Sequence, residues 1–132
     1  MAIRTIIVDD DRIFRFLISK ILDSINPEIE QRFFENGQEF VEFMKTQPQG
    51  DFCDIVLLDI NMPVRDGWGV LEWAQENGFH AENFPKTCIV SSSIDPSDLK
   101  RSSEHPLISD YLVKPLSIDQ INKVFSQLSS AN

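Results

Sequence analysis

Residues 54–67 read DIVLLDINMPVRDG. Four aliphatic residues, Ile55 to Leu58, run into an acid, Asp59, and Pro63 and Gly67 follow close behind. So short an apolar run, bounded by turn formers, predicts a strand buried on both faces. Such strands belong to sheets with helices packed on each side. Asp59 at the tip of the run is costly if buried unpaired and unremarkable if exposed. What surrounds that tip decides what the chain does.

The same pattern recurs on either side of this stretch. Ile3 to Val8 is a β-branched run ending in acids, a buried-strand signal. RIFRFLISKILDSI follows, with Phe14, Leu17, Ile18, Ile21 and Ile25 at helical spacing, Asp10 or Asp11 as cap and Asn26-Pro27 as stop. Ile29 to Phe34 reads as a weaker second strand. Asn36 opens a second helix, with Glu39 in capping-box position, Phe40, Phe43 and Met44 on one face, and Pro48-Gln49-Gly50 as its end. After Asp66-Gly67, the residues Val70, Leu71 and Ala74 predict a third helix ending near Asn77-Gly78. Thr87 to Val90 is a fourth strand. Asp95-Pro96 starts a short polar helix that breaks before Pro106. Ile108 to Val113 is a fifth strand, and Ser117 with Gln120 caps a last helix carrying Ile118, Ile121, Val124, Phe125 and Leu128. Strand and helix thus alternate five times, which predicts an α/β fold: a doubly wound five-stranded parallel sheet.

The 132 residues are expected to form one domain, 1–132. With 42% hydrophobic and 25% charged residues, the composition is that of a globular protein. A net charge of −9 repels nucleic-acid phosphates and anionic membranes, so neither is an expected partner. Cys53 and Cys88 lie in or beside apolar stretches, outside any CxxC or Cys/His pair, and are read as reduced core thiols. MAIRTIIVDDD does not read as a signal peptide, and the aliphatic runs fall far short of the ~18 residues that span a bilayer. A cytoplasmic location is expected.

In doubly wound sheets, ligands bind at the carboxyl ends of the strands, where the winding reverses. On that edge the first strand ends at Asp9-Asp10-Asp11, the third at Asp59, the fourth at Ser91-Ser92-Ser93 and the fifth at Lys114-Pro115. If the first and third strands are neighbours, their tips lie roughly 5 Å apart. Carboxylates so placed raise one another's pKa or demand a cation, and hard oxygen donors suit Mg²⁺. Lys114 can steady a phosphoryl oxygen and Ser91 can donate to one. A carboxylate beside a metal can act as a nucleophile toward phosphorus.

These segments also carry a resemblance over essentially the whole chain. IIVDDD, LLDINMPVRDG, IVSSS and YLVKP, in that order at strand tips, resemble a bacterial two-component response-regulator receiver domain, of the kind typified by the chemotaxis regulator. The resemblance implies a flavodoxin-like sheet of strand order 2-1-3-4-5. It implies Asp59 as phosphoacceptor, Asp10 as a direct Mg²⁺ ligand with Asp9 acting mainly through water, and the Asn61 carbonyl as a further ligand. It assigns Lys114 to the phosphoryl group and Ser91 and Tyr111 to the switch. The implied partners are a sensor histidine kinase or histidine phosphotransfer protein and an unknown output protein, with the chain a monomer or weak dimer. It implies no enzyme beyond a domain that catalyses its own phosphorylation and slow dephosphorylation, and a cis peptide at Lys114-Pro115.

Two departures stand out. Ser92 occupies a position where the family most often has alanine or glycine, and SIDPSDLKRSSEHPLIS lacks the small-residue pattern common before the fifth strand. The rival reading is a Mg²⁺-dependent phosphatase with an aspartyl nucleophile, which usually has an acid where Asn61 stands. A third is a receiver-like interaction module without phosphorylation. The chain reads as a stand-alone receiver or one excised from a longer protein. His80 and His105 are read as surface residues. Trp68 and Trp73 are read either as packing or as partner surface.

Overall fold

The computed structural model describes residues 2–47 and 51–130. Five strands, β1 (Arg4–Val8), β2 (Glu30–Phe34), β3 (Ile55–Leu58), β4 (Lys86–Ser91) and β5 (Ile108–Val113), alternate with α1 (Arg12–Ile25), α2 (Gly37–Met44), α3 (Gly67–Glu76), α4 (Pro96–Glu104) and α5 (Ile118–Ser130). All pairings are parallel and the order is β2-β1-β3-β4-β5, the flavodoxin-like arrangement. The run Ile55–Leu58 is buried throughout, at the centre of the sheet.

Alternation along the strands divides the core. Ile6, Val8, Val56, Leu58 and Ile89 pack on one face against Phe40 and Val41 of α2 and Val70 and Leu71 of α3. Ile7, Ile55, Leu57, Cys88 and Val90 pack on the other against Phe14, Ile18 and Leu22 of α1 and Ile121 and Phe125 of α5. Both cysteines are buried and unpaired, and burial pushes each thiol up to about 12.

The helix signals act as the sequence indicates. Asp11, not Asp10, caps α1, accepting from the Ile13 and Phe14 N–H groups at 2.9 and 3.3 Å. Asn36 accepts from the Glu39 N–H at 2.9 Å. Ser117 and Gln120 close a reciprocal box, with bonds of 2.9 and 3.1 Å. The expected stop at Pro48-Gln49-Gly50 lies outside the described residues.

Two expectations are corrected, for Leu17 and His105, and the alternative left open for the tryptophans is decided. Leu17, expected on the inward stripe of α1, is 52% exposed, and Leu22 is buried instead. At about 100° per residue, Leu17 falls to the side of the face centred on Phe14, Ile18, Leu22 and Ile25. His105 is half-buried rather than on the surface. Its Nδ1 accepts the Leu107 N–H at 3.1 Å, and burial lowers its pKa. Trp68 is buried, with the Arg101 guanidinium 4.3 Å from its ring, and Trp73 packs on Phe79, so both tryptophans pack within the fold.

Candidate functional site

Register builds the site. Val8 pairs with Leu58, so Asp9 and Asp59 leave adjacent strands side by side. The ladder holds both backbones: the Asp9 N–H donates to the Phe34 carbonyl at 3.1 Å and the Asp59 N–H to the Val8 carbonyl at 2.9 Å. Asp9 is 1% exposed and Asp59 6%, while Asp10 faces solvent. One carboxylate oxygen from each of Asp9, Asp10 and Asp59 lies within 4.8 Å of the others.

Gly67 explains how close the next helix comes. A Cβ there would lie 2.4 Å from the Asp59 carbonyl oxygen, and its N–H donates to the Ile60 carbonyl at 2.8 Å. Asp66 caps α3 from the same turn, accepting the Gly69 N–H at 2.8 Å. The loop between carries Val64 at φ 69°, a left-handed conformation that is strained for a β-branched residue.

The cations are arranged less simply than the sequence indicates. Lys114-Pro115 is cis, as expected. The Lys114 ammonium sits 2.8 Å from Asp9 Oδ2 and 4.2 Å from the centre of the Phe14 ring. It is near enough to Asp59 to favour that carboxylate electrostatically. Arg15, which no motif singles out, donates to the Asp9 carbonyl at 2.7 Å. Its place in the first turn after the acid run is the signal that could have found it.

Burial pushes the Asp59 pKa up to about 6. The Asp9 charge adds to the rise, and Lys114 and a long bond from the Asn61 N–H (3.4 Å) oppose it. Asp9 is also raised by burial, held back by its bond to Lys114 and by the Asp11 N–H. Two buried acids with one ammonium make a pocket short of positive charge, and its donors are all hard oxygens. That donor set fits a small divalent cation such as Mg²⁺.

Ser91 ends β4, fully buried, its Oγ accepting the Ser93 N–H at 3.1 Å. Its carbonyl takes the Lys114 N–H at 2.9 Å, which ties two strand tips together. Ser92 is exposed beside Phe14, Pro115 and Leu116. Tyr111 is half-buried, and its hydroxyl donates to the Ser93 carbonyl at 2.8 Å. Asp9, Asp10, Asp59, Lys114 and Ser91 thus gather at one sheet edge, with Asn61 following Asp59 and Tyr111 reaching the loop after Ser91.

The family model of the response regulator receiver domain matches residues 5–126. The chain belongs to that family. Receivers in two-component systems are phosphorylated on an aspartate. A methylesterase/glutaminase acting on protein glutamate and glutamine, from Rhodospirillum centenum, is 30% identical over 122 residues, covering 89% of this chain and 28% of that protein. The autoinducer 1 sensor kinase/phosphatase LuxN of Vibrio campbellii is 25% identical, over 96% of this chain and 14% of its own length. The receiver therefore spans a third or less of these two relatives. A two-component response regulator from Cytophaga hutchinsonii shares the fold with a TM-score of 0.85 at 24% identity, over 98% of this receiver and 99% of that chain. The chemotaxis protein CheY4 of Vibrio cholerae does so with a TM-score of 0.75 at 18% identity, over 97% and 99%. Among the described residues, no helix is long and apolar enough to cross a membrane.

Proposed function

We propose that residues 1–132 form one receiver that takes a phosphoryl group onto Asp59 from the phosphohistidine of a sensor kinase or phosphotransfer protein. The observation that carries this reading is the convergence of Asp9, Asp10 and Asp59 within 4.8 Å, with Lys114 bonded to Asp9. Asp9, Asp10, Asp59 and the Asn61 carbonyl would hold Mg²⁺. When bound, the ion supplies the positive charge that the buried acids lack and that three phosphoryl oxygens require.

The chain's own groups do the rest. A carboxylate oxygen of Asp59 attacks phosphorus. The bond between phosphorus and the donor's imidazole nitrogen breaks, and its electron pair stays with the imidazole. A sheet hydrogen bond from its N–H to the Val8 carbonyl fixes the Asp59 backbone at the strand tip. The Lys114 ammonium turns from Asp9 toward a phosphoryl oxygen, and the Ser91 hydroxyl donates to another. Slow attack of water on the acyl phosphate then returns Asp59 and inorganic phosphate. A phosphatase would need an acid to protonate its leaving group, and Asn61 stands in that place.

Output passes by protein contact to a partner that is neither nucleic acid nor membrane. The protein acts in the cytoplasm as a monomer or weak dimer. The test is intact-mass spectrometry after incubation with acetyl phosphate and Mg²⁺. One added phosphoryl group is expected for the parent and none for Asp59→Asn. Full phosphorylation of Asp59→Asn would refute the assignment.

A further inference from the structure

Helix α4 is held unusually. Its sequence is PSDLKRSSE, and among its described residues only Ser102 is buried; Leu99 is 39% exposed. A helix without an apolar stripe gains little from burial on the sheet. Polar contacts hold α4 instead. Toward its C-terminus, Arg101 stacks on Trp68 of α3 at 4.3 Å and reaches Glu72 at 3.5 Å. At its N-terminus, Ser93 Oγ donates to Asp98 Oδ2 at 2.8 Å and accepts the Asp95 N–H at 3.2 Å.

Ser93 is also tied to Ser91 and Tyr111. Its N–H donates to Ser91 Oγ and its carbonyl accepts from Tyr111. Every polar group of this one residue is engaged, toward Ser91, Tyr111 and α4 at once. Asp95 caps α4, accepting the Ser97 N–H at 2.9 Å, and the Ser93 hydroxyl bridges the Asp95 N–H to the Asp98 carboxylate three residues on. The start of α4 is thus secured by a side chain from outside the helix, on the residue whose backbone bonds Ser91 and Tyr111.

We propose that the Ser93 hydroxyl is a positioning link that couples phosphoryl binding at Ser91 to release of α4. The proposal rests on the reading of Asp59 as phosphoacceptor and Ser91 as a phosphoryl contact. A Ser91 hydroxyl that turns to a phosphoryl oxygen gives up the Ser93 N–H. The Ser93 backbone then shifts to find another acceptor, because a half-buried N–H left unpaired is costly. The hydroxyl carries that shift to Asp98 in the first turn of α4. With so little apolar surface buried, α4 follows, and the Arg101 stack on Trp68 at its far end opens. The coupling runs through the side chain of Ser93, so it can be cut without touching the backbone bonds to Ser91 and Tyr111.

Trp68 is a built-in reporter. Trp73→Phe leaves it as the sole tryptophan of the chain, which has two. The experiment compares the full chain carrying Trp73→Phe with the same chain carrying Ser93→Ala, Ser93→Thr or Asp98→Ala. For each, Trp68 emission is recorded in Mg²⁺ with and without beryllofluoride, and intact mass after acetyl phosphate. Beryllofluoride is expected to change emission in the parent. The change is lost in Ser93→Ala and Asp98→Ala, restored in Ser93→Thr, and all four take up phosphate equally. A full emission change in Ser93→Ala overturns the proposal, as does a parent that takes up phosphate with no emission change. Loss of phosphorylation in Ser93→Ala also overturns it, by placing the residue in the chemistry. A parent that takes up no phosphate overturns the Asp59 reading itself, and the mass spectrum alone identifies that failure.

Discussion

Replacing Asp59 by asparagine should stabilise the metal-free protein, by an amount that depends on pH. The Asp59 carboxyl is 6% exposed and its pKa is pushed up from 3.8 to about 6, first by burial and then by the Asp9 charge. The folded state therefore binds this proton more tightly than the unfolded state does. Below about pH 4 the group is protonated in both states and costs nothing. As pH rises from about 4 to about 6 the unfolded chain ionises first, and stability falls. Above about pH 6 the full penalty stands. A rise from 3.8 to about 6 in the folded state corresponds to a penalty of about 3 kcal/mol. Asparagine keeps the shape and does not titrate.

The expected result is thus a difference curve. Urea unfolding in EDTA should give Asp59→Asn and the parent similar stabilities at about pH 4, with the variant ahead by about 3 kcal/mol at about pH 7.5. For a chain of this size that is a melting-temperature gain of about 10 °C. Asp9 and Asp59 interact, so the transition belongs to the pair and is broader than for one site. Saturating Mg²⁺ should close the gap, since it stabilises the parent more by mass action. A difference independent of pH, or a variant less stable than the parent at about pH 7.5 in EDTA, would refute the account of Asp59 as a costly buried charge.

Other perturbations have definite signs. Lys114→Met removes the only side-chain cation bonded to the Asp9 carboxylate among the described residues, leaving a buried acid without a counter-charge. It should destabilise the metal-free protein by about 2–4 kcal/mol at about pH 8, and by progressively less as pH falls, because burial raises the Asp9 pKa and protonation removes the uncompensated charge; a loss by urea unfolding that does not shrink as pH is lowered would contradict this. Asp10→Ala should abolish most of the melting-temperature gain that Mg²⁺ gives the parent, and calorimetric titration showing unchanged Mg²⁺ affinity would remove Asp10 from the ligand set. Val64→Asn should stabilise the protein by about 0.5–1 kcal/mol, because asparagine tolerates the left-handed backbone at φ 69° better than a β-branched residue does; a loss of stability would show that Val64 makes a contact worth more than its strain.

What the sequence reveals here depends on how far apart the causes lie. Ile55 to Leu58 announces a central strand because burial on both faces leaves no polar position within the run. The acids at Asp9 and Asp59 can be placed together because parallel strands with tips in register must bring them there. Caps at Asn36, Asp95 and Ser117 are legible because a cap acts within three residues, whereas Asp66-Gly67 reads only as a turn and Asp66 proves to cap α3. Contacts between distant elements are not. Periodicity says nothing of which acid a lysine 105 positions away will reach, and Lys114 reaches Asp9. Nor does it give the partner of the Tyr111 hydroxyl, 18 residues from Ser93, or the stack of Arg101 on Trp68. Leu17 misleads because helical spacing defines a stripe, and only the packing partner decides how wide the covered part is.

The acidic pocket and the core cannot be altered independently, because one register sets both. The pairing of Ile6 with Val56 and of Val8 with Leu58 puts these four side chains on the face covered by α2 and α3. The same pairing delivers Asp9 and Asp59 together one residue later. A slip of one residue between β1 and β3 would turn the slipped strand's side chains to the opposite faces of the sheet, and would separate the acids by a strand residue's rise of about 3.3 Å. The hydrophobic burial that fixes the register therefore also holds two like charges side by side against their repulsion. Mutations that loosen β3, such as Leu58→Ala, should relax the Asp59 pKa toward its ordinary value as they lower stability, so folding energy and the readiness of the pocket for a cation fall together.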